Sequence, residues 1–300
     1  MEKKNIDDKF IGLKIKDAII FNENLKKYVE ITINKSGKEI YKIDFNSKEA
    51  VYEYNVAILK GLYDLNMKFH SDALVPTPVN RYTFIYYIIN KFLDNLDNLD
   101  NLDKPKLNIL EIGTGSGILS ILMSKYFCEL TNNCEKDDKL INIYATDIKE
   151  EYLEIARENY SNNLDKLKLP IKFVNSQGNL IKNILELNKE LNNKFDIIFT
   201  YPPYYSDHSV ASIRSFGGAD AEKVELIGGG KYGEKFSENL IEEAKDVLNE
   251  NGIIAFMFPD KPEERRVLVE NKILNCNLKL EKYEIQSGKR KRHIIFGIKK

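Results

Sequence analysis

The sequence predicts an α/β fold built on a seven-stranded, mostly parallel sheet that ends in an antiparallel hairpin. From Leu107 onward, short apolar runs alternate with helical patterns, and several runs are continuously apolar, as strands buried on both faces are. This alternation implies right-handed crossovers and parallel pairing. The last two runs flank Ser287-Gly288, a turn that is too short for a crossover and therefore predicts a hairpin.

The individual elements follow from these patterns in chain order. The predicted strands are Leu107–Ile112, Ile141–Thr146, Ile171–Val174, Phe195–Thr200, Gly252–Phe258, Leu278–Gln286 and His293–Ile298. The predicted helices between them are Ile118–Phe127, Glu150–Asn163 and Phe236–Asn251. Residues 1–70 are polar, lysine-rich and helix-leaning, with strand-like pieces at 28–33 and 40–43. We therefore expect a small N-terminal α+β accessory region at 1–70 and the main domain at 71–300.

The composition is that of a folded globular chain. Its 300 residues suffice for a full core, 43% are hydrophobic, and 45 basic residues nearly balance 46 acidic ones. No apolar run approaches the ~20 residues of a membrane span, and the N-terminus does not resemble a signal peptide. Three cysteines and three histidines lack metal-ligand spacing. We therefore expect a cytoplasmic, metal-free monomer.

A glycine-rich turn follows the first strand of the sheet. Residues 111–117 read Glu-Ile-Gly-Thr-Gly-Ser-Gly, and glycines let a backbone turn tightly and approach a ligand. In open α/β sheets, ligands bind beyond the carboxyl ends of the strands. Ile118 breaks the G-x-G-x-x-G spacing of dinucleotide sites, and the pattern suits S-adenosylmethionine, which carries no pyrophosphate. The candidate cofactor-binding residues here are Glu111, Gly113, Thr114, Gly115 and Gly117.

An acidic residue ends the second strand. Asp147 follows Tyr144-Ala145-Thr146, where a carboxylate can accept hydrogen bonds from both ribose hydroxyls of the cofactor. Its separation from the glycines exceeds the ~20 residues of a compact unit, and a polar insertion at 132–139 accounts for the excess. The alternative is a helix N-cap, because Glu150 lies three residues on. After the third strand, Gln177 is a candidate for the adenine ring by its position alone.

Two prolines between two tyrosines follow the fourth strand. Residues 201–204 read Tyr-Pro-Pro-Tyr, and the prolines fix the backbone and remove two N–H donors. Their carbonyls can accept hydrogen bonds from an amino group, and the next aromatic ring offers a stacking face worth ~1–3 kcal/mol per base. The segment predicts a platform for a planar amine, although an ordinary strand-ending turn is the alternative. The catalytic candidates are Tyr201, Pro202, Pro203 and Tyr204.

The two segments together resemble the Rossmann-like, class I methyltransferases that modify the N6 amine of adenine in RNA. In that family the second motif is Asn, Asp or Ser followed by Pro-Pro and an aromatic residue. The chain looks like the group that contains the eukaryotic small nuclear RNA enzyme and the bacterial large-subunit ribosomal RNA enzyme. The similarity spans roughly residues 40–300 and includes Asp44–Val51, Leu74–Arg81, Glu225-Leu226 with Gly229-Gly230, and Gln286–Lys289 with Arg292.

The resemblance implies S-adenosylmethionine as cofactor and methyl transfer to adenine N6 in a ribosomal or small structured RNA. It also implies that Arg81 binds the cofactor, because the family carries a similar segment before a helix that faces the donor site. Tyr201 would touch both cofactor and substrate. This tyrosine stands where the family has a small polar residue that accepts a hydrogen bond from the target amine, so the target atom stays open.

Basic residues near the crevice predict where RNA is bound. Residues 289–293 read Lys-Arg-Lys-Arg-His at the last hairpin, and the predicted substrate loop at 201–234 is rich in Gly and Tyr. Cations contact phosphates and aromatic rings stack on bases, which suits single-stranded or looped RNA. A solvated charged face is the alternative. The candidate substrate-binding residues are Tyr205, Arg214, Lys289, Arg290 and Arg292.

Three functions fit these patterns. The first is an RNA methyltransferase that acts on an exocyclic base amine, with loss of activity expected on Tyr204→Ala. The second is a methyltransferase of a protein amide or of a small planar metabolite, because Pro-Pro-Tyr can also position a glutamine side chain. The third is an RNA-binding relative that keeps the donor pocket without turnover, and Tyr201 is the residue that keeps this alternative open.

Overall fold

The computed structural model describes residues 8–71, 73–97, 107–130, 141–167, 169–178, 180–181, 194–206, 223–287 and 290–300. Within these ranges a seven-stranded sheet lies at the centre, and a separate two-stranded sheet belongs to the N-terminal region. Helices pack against both faces of the large sheet. The Rossmann-like α/β fold that the sequence predicts is confirmed.

The N-terminal region combines short helices with one hairpin. Its helices are α1 (Asp8–Ile11), α2 (Ile15–Phe21) and α3 (Lys48–Tyr63), with a 3-10 helix at Glu23–Tyr28. Strand β1 (Glu30–Ile33) pairs antiparallel with β2 (Glu39–Lys42), where the sequence shows its two strand-like pieces. Ser47 begins α3 because its hydroxyl accepts a hydrogen bond from Ala50 N at 3.2 Å, an N-terminal cap.

The sheet and its helices follow in the alternation that the sequence predicts. The strands are β3 (Leu107–Ile112), β4 (Ile141–Asp147), β5 (Ile171–Asn175), β6 (Phe195–Thr200), β7 (Leu248–Pro259), β8 (Lys279–Ser287) and β9 (Arg290–Ile298). The helices are α4 (Pro78–Asp97), α5 (Ile118–Leu130), α6 (Glu150–Ser161), α7 (Lys223–Leu226), α8 (Lys235–Val247) and α9 (Glu263–Asn275).

The order of the strands places a crevice at the middle of the sheet. The order is β5-β4-β3-β6-β7-β9-β8, with parallel pairs up to β7 and antiparallel pairs on both sides of β9. The chain leaves β3 toward β4 and β5 and returns on the other side as β6. Ligands of open α/β sheets bind at such a switch point, so the ends of β3 and β6 face the expected site.

Alternate residues of the central strands enter two separate cores. Ile109 packs with side chains of α3, α4 and α5, whereas the next residue, Leu110, packs with side chains of α8 and α9. This division is expected of a sheet covered on both faces, because neighbouring side chains point in opposite directions. Leu59 and Tyr63 of α3 belong to the first core, so the end of the predicted accessory region packs directly on the main domain.

The start of β7 differs from the predicted boundary. The helix before it ends at Val247 rather than at Asn251, because Leu248 is already extended (φ −73°, ψ 138°) and pairs with Phe195. The register then shifts between Phe195 and Ile197, and Asn251 has a φ of +60°. Two residue types that usually form turns, Asn251-Gly252, therefore lie inside the strand as an irregularity.

The described residues include neither a membrane-spanning helix nor a metal-binding cluster. No helix in the described ranges is both long and apolar enough to cross a membrane. In the same part of the chain, no three His, Cys, Asp or Glu side chains are grouped so that they could hold a metal ion.

Candidate active site

The glycine loop between β3 and α5 is open on one side. Gly113, Gly115 and Gly117 have φ values of +73°, +53° and +80°, which L side chains rarely adopt. No described atom lies within 4 Å of the place where a Cβ of Gly113 or Gly115 would be, whereas a Cβ on Gly117 would lie 3.1 Å from Ala156 Cβ. The first two glycines thus leave the backbone accessible to a ligand, and the third allows close packing against α6.

Glu111 lies beneath this loop and holds it. Its Oε2 accepts hydrogen bonds from Thr114 Oγ1 at 2.7 Å and from Ser120 N at 3.2 Å, and the Ser120 hydroxyl also donates to it. The side chain is fully buried, and burial raises the pKa of the carboxyl to about 7. Oε1 has no partner among the described residues. Glu111 therefore braces the loop, and its direct contact with the cofactor stays a prediction.

The raised pKa of Glu111 makes folding stability depend on pH. The ordinary pKa of the carboxyl is 4.5, and its pKa in the folded protein is about 7. Between these two pH values the folded protein holds a proton that the unfolded chain releases, so the free energy of unfolding falls as pH rises. The shift corresponds to about 3 kcal/mol. Glu111→Gln cannot ionise, so urea unfolding of the cofactor-free variant should show a flatter loss of stability between pH 5 and pH 8. The exposed Glu154→Gln should keep the wild-type slope, and parallel curves for all three proteins would contradict the assignment.

Asp147 faces the glycine loop from the end of β4. Its Oδ2 accepts a hydrogen bond from Gly115 N at 2.8 Å, and its Oδ1 accepts one from Lys149 N at 3.1 Å. The side chain is buried, which raises the pKa of the carboxyl. A carboxylate has about four acceptor positions, so two remain for ribose hydroxyls. The alternative of a helix N-cap is not realised, because α6 has Lys149 at that position.

The end of β5 lies next to Asp147. Ser176 N donates a hydrogen bond to the Asp147 carbonyl oxygen at 2.8 Å. Gln177 has a left-handed backbone (φ +51°) in a turn that Asn175 closes, since Asn175 Oδ1 accepts a hydrogen bond from Gln177 N at 2.9 Å. The turn therefore places Gln177 at the predicted edge of the crevice, and its contact with the adenine ring stays a prediction.

Tyr201 lies between two arginines from distant parts of the chain. The guanidinium carbon of Arg81, in the first turn of α4, lies 3.8 Å from the centroid of the Tyr201 ring. From β9, Arg292 Nη1 donates a hydrogen bond to Tyr201 Oη at 2.7 Å. Burial lowers the pKa of Arg81, and the nearest charged or titratable groups described around it are Tyr201, Arg292 and Tyr204, with no carboxylate. Two guanidinium groups without an ion pair to any described carboxylate suit an anionic ligand group such as a carboxylate.

A glycine segment fixes the backbone of the Pro-Pro-Tyr motif. A Cβ on Gly233, whose φ is +86°, would overlap the carbonyl oxygen of Tyr204. A Cβ on Gly228 would lie 2.5 Å from the carbonyl oxygen of Pro203. Tyr205 is also held, because its N–H donates to Leu226 O at 2.8 Å and its carbonyl accepts from Gly228 N at 2.9 Å. Only glycine allows two backbones to cross at this distance.

The Tyr204 ring is supported by Arg265, a residue that the sequence analysis missed. The Arg265 guanidinium carbon lies 5.1 Å from the Tyr204 ring centroid, and the Tyr205 ring lies at 4.8 Å with a tilt of 44°. Burial raises the pKa of both tyrosines. In the sequence Arg265 stands in Glu263-Glu264-Arg265-Arg266, which reads as a solvated helix face. Only the tertiary structure shows that it is 2% exposed.

The structure brings most of the predicted residues to one edge of the sheet. Gly113–Gly117, Asp147 and Tyr201–Tyr204 follow the carboxyl ends of β3, β4 and β6, and Arg81 contacts Tyr201. Tyr205, Arg290 and Arg292 line a cavity together with Tyr204. The predicted substrate residues Arg214 and Lys289 lie outside the described part of the chain, as do residues 207–222 of the predicted substrate loop.

Comparison with known proteins gives a consistent result. A family model described as RNA methyltransferase matches residues 15–226, which include both the glycine loop and the Pro-Pro motif. A candidate methyltransferase of Methanocaldococcus jannaschii is 46% identical over 290 residues, which are 96% of this chain and 99% of the relative. These two matches cover far more than the short motifs.

More distant relatives are named for two different kinds of substrate, an RNA and a protein. The U6 small nuclear RNA (adenine-(43)-N(6))-methyltransferase of Drosophila pseudoobscura pseudoobscura is 25% identical over 232 residues, which are 71% of this chain and 67% of the relative. A release factor glutamine methyltransferase of Bacillus anthracis is 28% identical over 151 residues, which are 50% of this chain and 46% of the relative. A release factor glutamine methyltransferase of Bacillus subtilis is 24% identical over 209 residues, which are 70% of this chain and 63% of the relative, so the matched length does not separate the two substrates.

A solved structure shares the fold over nearly the whole length. The catalytic domain of human METTL16 in complex with MAT2A 3′UTR hairpin 6 superposes with a TM-score of 0.70 at 16% identity, covering 99% of this chain and 96% of that chain. At this identity the likeness concerns the fold alone. The family match and the archaeal relative extend it to function: the chain belongs to the RNA methyltransferase family, whose methyl donor is S-adenosylmethionine.

Proposed function

We propose that the protein transfers a methyl group to the N6 amine of an adenine in a structured or single-stranded RNA. The observation that carries this proposal is the placement of the glycine loop after β3 beside Tyr-Pro-Pro-Tyr after β6, since the two strands are neighbours in the sheet. A donor pocket and a platform for a flat amine thus meet at one switch point. The Drosophila relative, named for adenine N6, supports the same target atom.

The residues around the crevice fit S-adenosylmethionine. The open backbone at Gly113 and Gly115 leaves room for the ligand, and Asp147 has acceptor positions for the ribose hydroxyls. Arg81 offers a guanidinium group for the carboxylate of the methionine part. When bound, this donor supplies an electrophilic methyl group on a positively charged sulfur.

The contribution of the chain itself is the positioning of the nucleophile. Pro202 and Pro203 fix the backbone after β6, and Tyr204 offers a ring for the target base. Because Arg292 donates to the Tyr201 oxygen, the phenol hydrogen of Tyr201 is left for an acceptor on the substrate. Correct placement of two reactants can lower a barrier by about 7–11 kcal/mol, and positioning is the contribution that we assign to these residues.

The proposal predicts a specific methylated nucleoside. Unmodified transcripts of ribosomal and small nuclear RNA, incubated with the protein and S-adenosylmethionine carrying a labelled methyl group, should yield N6-methyladenosine on nucleoside mass analysis. Tyr204→Ala should reduce the product at least about tenfold, because it removes a stacking face worth ~1–3 kcal/mol. Full activity of Tyr204→Ala would contradict the platform, and a methylated nucleoside other than N6-methyladenosine would contradict the target atom.

The same assay separates the alternatives. The Bacillus anthracis relative is named for glutamine methylation of a release factor, so purified release factor serves as a parallel substrate. Label in this protein as methylglutamine, with none in RNA, would support the amide alternative. Methyl transfer to RNA by Tyr201→Asn only, and none by the wild type, would support the RNA-binding relative without turnover.

We further propose the domain organisation that the sequence suggests. Residues 71–300 form the methyltransferase domain, with the substrate loop at 201–234, and residues 1–70 are an accessory region. We also propose that the protein acts as a monomer in the cytoplasm. The packing of Leu59 and Tyr63 in the main core supports an accessory region that braces the domain.

A further inference from the structure

A second cavity lies beside the proposed active site. It has a volume of about 280 Å³ and reaches from Tyr204 to the start of α9 and the edge of β9. None of its described lining residues belongs to the glycine loop, and neither Asp147, Arg81 nor Tyr201 lines it. The cavity therefore lies next to the cofactor crevice, and it shares Tyr204 with the substrate platform and Arg292 with the Tyr201 site.

All charged side chains among the described lining residues of this cavity are cationic. No aspartate or glutamate lines it among the described residues, whereas six cationic side chains do: Lys231, Lys261, Arg265, Arg290, Lys291 and Arg292. The carboxylates close to the cavity form hydrogen bonds with other groups. Asp260 Oδ1 and His293 Nε2 form a hydrogen bond of 2.9 Å, and Glu234 accepts one from the backbone N–H of Tyr232 at 2.8 Å. Of the six cations, Lys291 is paired with an acid, Glu284 at 2.7 Å.

Arg265 is a fixed part of the cavity wall. Its Nε donates a hydrogen bond to the Tyr232 carbonyl oxygen at 2.9 Å, and Nη1 donates to Lys261 O at 3.4 Å. Burial lowers its pKa to about 10, so the guanidinium remains charged at neutral pH. Burying a cation beside carbonyl groups and tyrosines, without an ion pair to a described carboxylate, is costly. This cost is reduced when an anion binds.

Three tyrosines complete the cavity. Tyr204, Tyr205 and Tyr232 line it together with the cations. The rings of Tyr204 and Tyr205 are 4.8 Å apart, and Lys231 Nζ lies 5.1 Å from the centroid of the Tyr232 ring. Aromatic rings stack on bases, and lysine and arginine contact phosphates. Both parts of a nucleotide thus find matching groups within one cavity.

We infer that this cavity binds one unpaired nucleotide of the RNA next to the methylated adenine, with its phosphate on the cations and its base on the tyrosines. That this nucleotide belongs to an RNA substrate rests on the proposed function. The volume is close to the lower limit of ligand pockets, about 300 Å³, and is too small for a duplex, which is recognised over an open surface. The shared Tyr204 places this nucleotide beside the platform for the target base.

Uridine 5′-monophosphate is the probe that tests the cavity. Saturating S-adenosylhomocysteine keeps the cofactor crevice filled, and calorimetry or NMR titration compares uridine 5′-monophosphate with uridine and ribose 5-phosphate. The nucleotide should bind at least about tenfold more tightly than either part. Lys261→Gln should weaken the nucleotide at least about fivefold, as loss of one charged phosphate contact would, and leave uridine unchanged. Tyr232→Ala should weaken the nucleotide and uridine but not ribose 5-phosphate.

The matched control is Lys172→Gln, an exposed lysine on β5 at the opposite end of the sheet. It should bind all three probes as the wild type does. Equal affinity of Lys261→Gln and wild type for uridine 5′-monophosphate would overturn the inference, as would equal binding of nucleotide and ribose 5-phosphate. The titration does not depend on methyl transfer: nucleotide binding without RNA methylation would refute the proposed function alone, and RNA methylation without nucleotide binding would refute the cavity alone.

Discussion

Replacing Asp147 with alanine is expected to weaken S-adenosylmethionine binding at least about 100-fold and to remove methyl transfer at ordinary donor concentrations. The carboxylate lies at the end of β4 and accepts hydrogen bonds from Gly115 N and Lys149 N. Of its about four acceptor positions, two are left for the ribose hydroxyls. Hydrogen bonds to a charged group contribute about 1.5–3 kcal/mol each, so two of them correspond to a factor of 100 or more. Calorimetric titration of the purified variant with the donor measures the effect directly.

Two control variants separate binding from folding in this experiment. Glu151→Ala removes a neighbouring acid that is exposed and pairs with Lys149 at 3.3 Å, and it should bind the donor normally. Asp147→Asn retains a hydrogen-bond acceptor for the loop while removing the charge, so it should unfold near the wild-type temperature and still bind the donor weakly. A dissociation constant for Asp147→Ala within threefold of the wild type would show that the ribose is held elsewhere.

Gly233→Ala is expected to reduce methyl transfer about 100-fold while the donor still binds. The residue has a φ of +86°, and its new Cβ would overlap the Tyr204 carbonyl oxygen and lie 2.9 Å from the Tyr205 carbonyl carbon. Backbone atoms cannot turn away as a flexible side chain can, so Tyr204 must shift. A displacement of about 1 Å in a positioning group can cost about 100-fold in rate. Single-turnover transfer and donor titration together distinguish this from a loss of cofactor binding.

Gly229→Ala is the matched control for that variant. Its φ, +73°, is similarly unfavourable for alanine, but the nearest atom to its Cβ is Lys235 Cβ at an ordinary 3.5 Å. Only the backbone strain of about 1–2 kcal/mol should appear as lower stability, with the turnover of the folded protein unchanged. If both variants lost activity equally, backbone strain in the glycine segment, and not the crossing at Tyr204, would be the cause.

The local patterns of the sequence were sufficient for the fold and for the positions of three candidate site segments. Glycines, Asp147 and the Pro-Pro segment all follow apolar runs, and the carboxyl ends of parallel strands meet at one edge of a sheet. The prediction of these positions therefore needed only the strand order of a Rossmann-like fold. The boundary of β7 was less accurate, because Asn251-Gly252 normally marks a turn and here lies within an irregular strand.

The other contacts of the candidate site join residues that are far apart in the chain. Arg292 reaches Tyr201 across 91 positions, and Arg265 binds Tyr232 across 33; neither pair follows a spacing that a sequence pattern could reveal. The apposition of Gly233 and Tyr204 likewise arises only when two loops cross. By itself the sequence determined the fold class and the positions of the glycine loop and the Pro-Pro segment at the strand ends, because periodicity and turn chemistry are local properties. The tertiary structure alone decided the cationic cavity and the support of the platform, because packing and strand register bring those side chains together.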